Sequence, residues 1–184
     1  IGSRKGEILV TGAAGGVGSV AISLLANKGH TVVASTGRTE THDYLTSLGA
    51  SAFIDRAELS SKGSPLQKER WLGAVDTVGS VTLANVLAQT VYGGAVTACG
   101  LAGGMDLPAS VAPHILRGVA LLGIDSVMAP QDKRKRAWQT LSDHLDRSAL
   151  RSIARTEPMS DLPGLAEDIV AGRIKGRVVV DVAR

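Results

Sequence analysis

Glu7-Ile8-Leu9-Val10-Thr11-Gly12-Ala13-Ala14-Gly15-Gly16-Val17-Gly18 is the stretch on which the reading of this chain turns. A short apolar run enters a turn rich in glycine. Beyond it Val17, Val20, Ala21, Leu24 and Leu25 recur at helical spacing, and Gly29 supplies a helix stop. Thr31-Val32-Val33-Ala34-Ser35 then reads as a second strand. Strand, glycine turn, amphipathic helix and second strand, in that order, form the context a dinucleotide-binding glycine motif requires. Without Cβ atoms the backbone can approach a pyrophosphate. Amides at the helix N-terminus then donate to its oxygens, aided by the helix dipole.

Working outward, strand and helix keep alternating. A helix is predicted over 39–48, with Thr39 as its cap and Gly49 as its stop. Ala52 to Asp55 forms a third strand, and 57–70 is mostly loop. Gly73 to Val78 is a fourth strand, followed by a Ser80-capped helix to about Gln89. Gly94 to Ala98 is a fifth, 100–108 a glycine-rich loop, 110–117 a short helix and Val119 to Ile124 a sixth strand. A helix over 131–147 sets Ala137, Trp138, Leu141 and Leu145 on one face. The expected fold class is α/β, a doubly wound parallel six-stranded sheet, the Rossmann fold. The continuous apolar strands suit a sheet buried on both sides. The tail differs: Ile153 to Met159 as a strand, a helix from Ser160 stopped by Gly172, and a last strand over Val178 to Val182.

Composition agrees. Of 184 residues 44% are hydrophobic and 20% charged, which excludes a disordered chain. Aromatics are scarce, so small and β-branched residues must build the core. The single cysteine, Cys99, removes an internal disulfide framework and any cysteine-rich zinc site. Read as a nucleophile, Cys99 lacks a nearby histidine and is better taken as a small buried hydrophobe. The four histidines show no metal spacing. No membrane-length apolar run and no signal peptide is evident, so we expect a cytoplasmic chain with no membrane partner. The net charge of +3 includes one dense run, Lys133-Arg134-Lys135-Arg136. No aromatic platform interleaves it, so it reads as a solvated helix start, and no nucleic acid is expected.

Two other glycine-turn families fail on their own residues. The spelling Thr11-Gly12-x-x-x-Gly16-x-Gly18 suits short-chain dehydrogenases, but those need Tyr-x-x-x-Lys. Here Tyr44 is followed four later by Leu48, and Tyr92 by Val96. A phosphate-loop nucleotidase would need Gly-Lys-Ser/Thr, which is absent. The second strand selects the dinucleotide. An NAD enzyme usually places an acid there for the ribose hydroxyls. This chain has Ser35-Thr36-Gly37-Arg38, and a guanidinium binds the 2′-phosphate an acid would repel. NADP(H) is therefore the expected cofactor, with Arg56 a second charge at the adenosine end.

Val10 to Ser19, Ser35 to Arg38, Asp76-Thr77-Val78-Gly79, Ala98 to Gly104 and Gly123 to Met128 together resemble the zinc-independent medium-chain dehydrogenase/reductases. The nearest branch is the acrylyl-CoA reductase and quinone oxidoreductase group. The resemblance implies that Ala14, Gly15, Gly16, Val17 and Gly18 contact the pyrophosphate. It gives Thr36, Gly37, Arg38 and Arg56 the 2′-phosphoadenosine end, and Leu101, Ile115 and Ser126 the nicotinamide end. For Leu101 and Ile115 the competing reading is plain core packing.

The resemblance also implies a GroES-like catalytic domain ahead of the glycine turn. Residues 1–150 are then the NADP-binding domain, and 151–184 a tail that returns to a catalytic domain missing from this chain. The start at Ile1 rather than Met fits that expectation. The parent would reduce an activated enoyl thioester, or a quinone, by hydride transfer. The catalytic residues stay unknown, since the expected tyrosine would lie in the missing domain. This chain alone would bind NADPH without turnover, or serve as a cofactor-sensing module. A homodimer joined through the sixth-strand edge is the expected assembly.

Overall fold

The computed structural model describes residues 5–184; the expectation drawn from Ile1 lies outside them. Strands β1 (Glu7–Val10), β2 (Thr31–Thr36), β3 (Ala50–Asp55), β4 (Trp71–Asp76), β5 (Thr90–Ala98) and β6 (Ala120–Gly123) form one sheet. Their order is β3-β2-β1-β4-β5-β6, and every pairing is parallel. This is the doubly wound order, with its reversal between β1 and β4. Helices α1 (Gly16–Asn27), α2 (His42–Ser47), α3 (Ser80–Gln89) and α4 (Ala112–Arg117) make four of the five crossovers; a 3-10 turn (Arg56–Leu59) and loop join β3 to β4.

Alternation along the strands divides the core. Leu9, Val33, Ile54, Ala74 and Val96 point to one face, where Leu83, Val86 and Leu87 of α3 cover them. Val10, Val32 and Ala34 point to the other, against Ile22 of α1 and Leu45 of α2. Leu9, Val33, Ile22 and Leu45 are completely buried, each side chain contributing roughly 1.5–3 kcal/mol.

Several element ends differ from expectation. Thr39 caps nothing: Thr39–Thr41 is a 3-10 turn, and Thr41 Oγ1 donates to the Arg38 carbonyl at 2.6 Å. Strand β5 begins at Thr90, four residues early, and buries Thr90 by turning its hydroxyl to the Val86 carbonyl. Ser80 is not the cap of α3. It is the first helical residue, at φ 47°, and its hydroxyl donates to Asp106. Asp76 supplies the acceptor instead, taking the Gly79 amide at 2.7 Å. The helix predicted over 131–147 stops at His144 as α5 (Gln131–His144), and its expected apolar face is not buried. A separate helix α6 (Arg147–Ile153) follows, started by Asp146, whose carboxylate accepts the Ser148 amide.

The tail forms its own unit. Strand β7 (Ala154–Pro158) pairs in parallel with β8 (Arg177–Asp181), with α7 (Leu162–Val170) between them. The 150/151 division falls inside α6, whose Ile153 is buried with the α1–α2 core.

One buried cluster holds the sheet's reversal point together. Asp76 and Thr11 are both fully buried. Thr11 Oγ1 donates to Asp76 at 2.7 Å and accepts the Thr77 amide at 3.0 Å, while Thr77 Oγ1 donates to the Thr11 carbonyl. Burial pushes the Asp76 carboxyl above its usual range, and the bonds from Thr11, Gly79 and Val78 pull it back. Thr11→Val removes one of these donors and strands a buried carboxylate. We expect a loss of about 2–3 kcal/mol at pH 7 by urea titration. A raised carboxyl pKa favours folding below the unfolded value, and that gain is lost as pH rises through the folded one. The Thr11→Val deficit should therefore shrink in acid; a pH-independent deficit would contradict the role given to Asp76.

Candidate dinucleotide site

The carboxyl ends of β1 to β5 meet at a cleft of about 760 Å³, where the chain crosses from one half of the sheet to the other. Gly12 to Gly15 follow β1, Ser35 to Arg38 end β2 and Asp55 to Ala57 end β3. Thr77 and Val78 line it after β4, and Ala102 and Gly103 after β5.

Gly12 sits at φ +57°, and an added Cβ would collide with Thr77 Oγ1, so this turn needs glycine. Gly15 is the N-cap of α1, and no side chain caps the helix or places an acid in its first turn. Among the described residues no carboxylate or hydroxyl takes its leading amides, the arrangement that suits an anion. Gly18 is buried with a different task. A Cβ there would lie 2.5 Å from the Gly12 carbonyl oxygen, so Gly18 sets how closely α1 packs under the turn.

At the other end Thr36 is nearly buried, and its hydroxyl accepts the Arg38 amide at 3.1 Å. Arg56 lies flat against Gly37, where an added Cβ would come within 2.6 Å of its Nε. Asp55 also borders the cleft, but its carboxylate is turned onto the Ala57 amide at 2.9 Å. Of the twelve sequence-predicted residues the cleft brings together Ala14, Gly15, Thr36, Gly37, Arg38 and Arg56. Gly16, Val17 and Gly18 lie in the first turn of α1. Leu101, Ile115 and Ser126 stand apart and exposed. Leu101 and Ile115 are 59% and 73% accessible, so neither is a core residue.

The tail supplies what the sequence reading missed. Gly172 and Ile174 form part of the cleft wall. The Gly176 amide donates to the Ala14 carbonyl at 2.8 Å, and the Arg177 guanidinium lies over Gly16 at the start of α1. Only the paired glycines of Gly172-Arg173-Ile174-Lys175-Gly176-Arg177 could have hinted at a close backbone crossing. Cys99 donates to the Asp76 carbonyl at 3.3 Å. Burial first, then the Asp76 charge, push its thiol upward, opposite to what a nucleophile needs.

The sequence profile of the zinc-binding dehydrogenases matches residues 16–143. The chain belongs to that family. Acrylyl-CoA reductase AcuI of Ruegeria pomeroyi is 55% identical over 96% of this chain and 54% of its own. The YhdH oxidoreductase of Salmonella enterica, solved in complex with NADP, superposes with a TM-score of 0.94 at 48% identity, covering 97% of this chain and 55% of that one. YhfP of Bacillus subtilis, named provisionally for quinone oxidoreduction, is 48% identical over 96% of this chain and 54% of its own. Its structure with NAD bound gives a TM-score of 0.92, covering 99% of this chain and 56% of that one. The chain therefore spans about half the length of the curated relatives it matches. The likeness falls on the zinc-independent branch that the motifs resemble. Despite the family's name, no three His, Cys, Asp or Glu converge as a metal-ligating group among the described residues. No helix among the described residues is long and apolar enough to cross a membrane.

The two inner glycines should respond differently to a methyl group. Gly18→Ala drives Cβ into two backbone carbonyls and should cost about 3 kcal/mol. Gly16→Ala meets only the movable Arg177 side chain and should stay within about 1 kcal/mol of the parent. Thermal melts of the two proteins check the order.

Proposed function

We propose that this chain is the NADP(H)-binding domain of an oxidoreductase that reduces an activated enoyl thioester of the acrylyl-CoA type. The cleft at the sheet's reversal point, with an uncapped helix at one end and Arg38 and Arg56 at the other, carries the reading. In it the Ala14 to Gly18 segment receives the pyrophosphate, with Arg177 adding charge from the tail. Arg38 and Arg56 take the 2′-phosphoadenosine end, Thr36 fixing the first of them and Gly37 giving the second a flat bed. Leu101, Ile115 and Ser126 flank the nicotinamide end, where the exposed Leu101 and Ile115 leave apolar surface for a second domain.

NADPH, when bound, supplies the hydride; the chain's own residues bind it, orient it and keep water from its apolar end. Residues 1–150 are the cofactor domain in this reading, and 151–184 are the return segment of a catalytic domain that is not part of this chain. The Ruegeria and Salmonella relatives support the thioester and NADP. YhfP favours a second reading, in which a quinone accepts the hydride. The free thiol of Cys99 suits the cytoplasm, the compartment we assign.

We further propose a homodimer through β6. Among the described residues that strand is paired only on its β5 side, and Leu122, Ile124, Val127 and Met128 are exposed along the free edge and the loop after it. Leu122→Arg should convert a sedimenting dimer into a monomer, whereas a parent chain that is monomeric at high concentration removes the proposal.

For the cofactor, fluorescence titration should show tighter NADPH than NADH binding. Arg38→Ala should weaken NADPH about 10- to 100-fold and NADH far less, since charge-assisted hydrogen bonds to the 2′-phosphate are lost. Equal affinity for both dinucleotides would overturn the reading. Acrylyl-CoA-dependent NADPH oxidation by a protein carrying the catalytic domain, and none by this chain alone, tests the reaction.

A further inference from the structure

Arg38 faces two ways. The residue begins at the end of β2, inside the cleft, and its guanidinium reaches across to the tail. Nη1 donates to the Gly172 carbonyl at 2.9 Å and Nη2 to the Ile174 carbonyl at 3.2 Å. Both acceptors are themselves part of the cleft wall. A guanidinium carries five N–H groups in a fixed plane, so two bonds to the tail leave others for a second partner. Its backbone is fixed as well, because the Arg38 amide donates to Thr36 and its carbonyl accepts from Thr41. Arg56 differs: no hydrogen bond or ion pair of its side chain is seen among the described residues, and it rests on Gly37.

The tail's hold on the cleft is otherwise modest. The Gly176 amide bonds to Ala14, Lys175 sits 5.0 Å from the centre of the Tyr44 ring, and Arg177 lies over Gly16. These contacts reach the turn and α2. Among the described residues, only the Arg38 pair of hydrogen bonds reaches from the tail to the end of β2.

We propose that the Gly172–Ile174 loop is a specificity-determining part of the cofactor site, acting through Arg38 as a positioning contact. The two tail carbonyls hold the guanidinium plane so that its remaining N–H groups face the 2′-phosphate. The coupling is reciprocal by thermodynamic necessity: a ligand that fixes Arg38 also holds the tail. NADPH therefore secures residues 172–176 against opening more than NADH does. This rests on the NADP(H) reading above and adds the tail to it.

Hydrogen exchange of the Gly176 and Arg173 amides, followed by mass spectrometry at saturating NADPH and at saturating NADH, tests the link. We expect exchange about tenfold slower with NADPH than with NADH, within the usual range of coupling between sites. Arg38→Lys keeps the charge but not the planar fork. It should retain part of the NADPH preference while abolishing the extra tail protection. Gly172→Val provides the converse. Gly172 lies at φ +70° with no atom within 4 Å of an added Cβ, so the change shifts the local backbone without a clash. Its NADPH-to-NADH affinity ratio should fall about tenfold with NADH affinity within threefold of the parent.

Equal tail protection by the two dinucleotides, together with an unchanged affinity ratio in Gly172→Val, overturns the inference. If Arg38→Ala still abolishes NADPH preference, the cofactor reading survives that failure. If the parent chain shows no NADPH preference, it is the cofactor reading that fails.

Discussion

The buried carboxylate of Asp76 is the constraint on which the site depends. It lies at the end of β4, beside β1, where the strand order reverses and the loops of the two halves diverge. Its two oxygens bridge the start of the glycine turn, through Thr11, and the start of α3, through Gly79. An ionised carboxylate in such a place is expensive unless its lone pairs are filled. Here the partners filling them are the backbone segments whose separation defines the cleft. Arg38 and Arg56 could be well placed on β2 and β3 and still miss a dinucleotide if the two halves slid apart.

The sheet was legible in the sequence because the strands are short apolar runs near glycines, and every crossover but the 57–70 connection shows helical spacing. A parallel, doubly wound sheet followed from the βαβ alternation, and the structure shows six parallel strands. Misreadings arose where a local signal competed with a distant partner. Ser80 has the chemistry of a cap, but Asp76 reaches Gly79 first and frees the serine for Asp106. The helix after residue 131 looked continuous because Leu145 extends the apolar spacing of Trp138 and Leu141. Asp146 nevertheless starts a new helix by taking the Ser148 amide. That interruption turns Ile153 into the core beside α1 and α2.

The site was legible to the same depth. The glycine turn and the arginine at a strand end have local signatures in spacing, whereas the roles of Gly15 and Gly37 came from the family resemblance; the cleft brings Gly15, Gly37 and Arg38 together. Leu101, Ile115 and Ser126 have none; they came from the family resemblance, and the structure leaves them exposed at a rim rather than gathered in the cleft. Gly172, Ile174 and Arg177 were missed because their relation to the turn is purely tertiary. More than 130 residues separate Arg38 from the carbonyls it binds. A chain-order reading can mark Gly172 as a helix stop, but it cannot reveal what its carbonyl meets.

That tertiary relation alters how the tail should be understood. A segment that only returned to another domain would need no contact with the cofactor cleft. This one lays a backbone amide on Ala14 and a guanidinium over Gly16, and offers two carbonyls to Arg38. Its contacts thus fall at both ends of the proposed dinucleotide, pyrophosphate and 2′-phosphate alike. Between them Ile174 lines the cleft and Lys175 sits over the Tyr44 ring, and positive φ at Gly172 and Gly176 turns the chain at either end of this crossing. A segment tied at both ends of the cleft holds Arg38 and Arg177 in register with the glycine turn. The bulk of β7, β8 and α7 is then free to serve whatever packs against them.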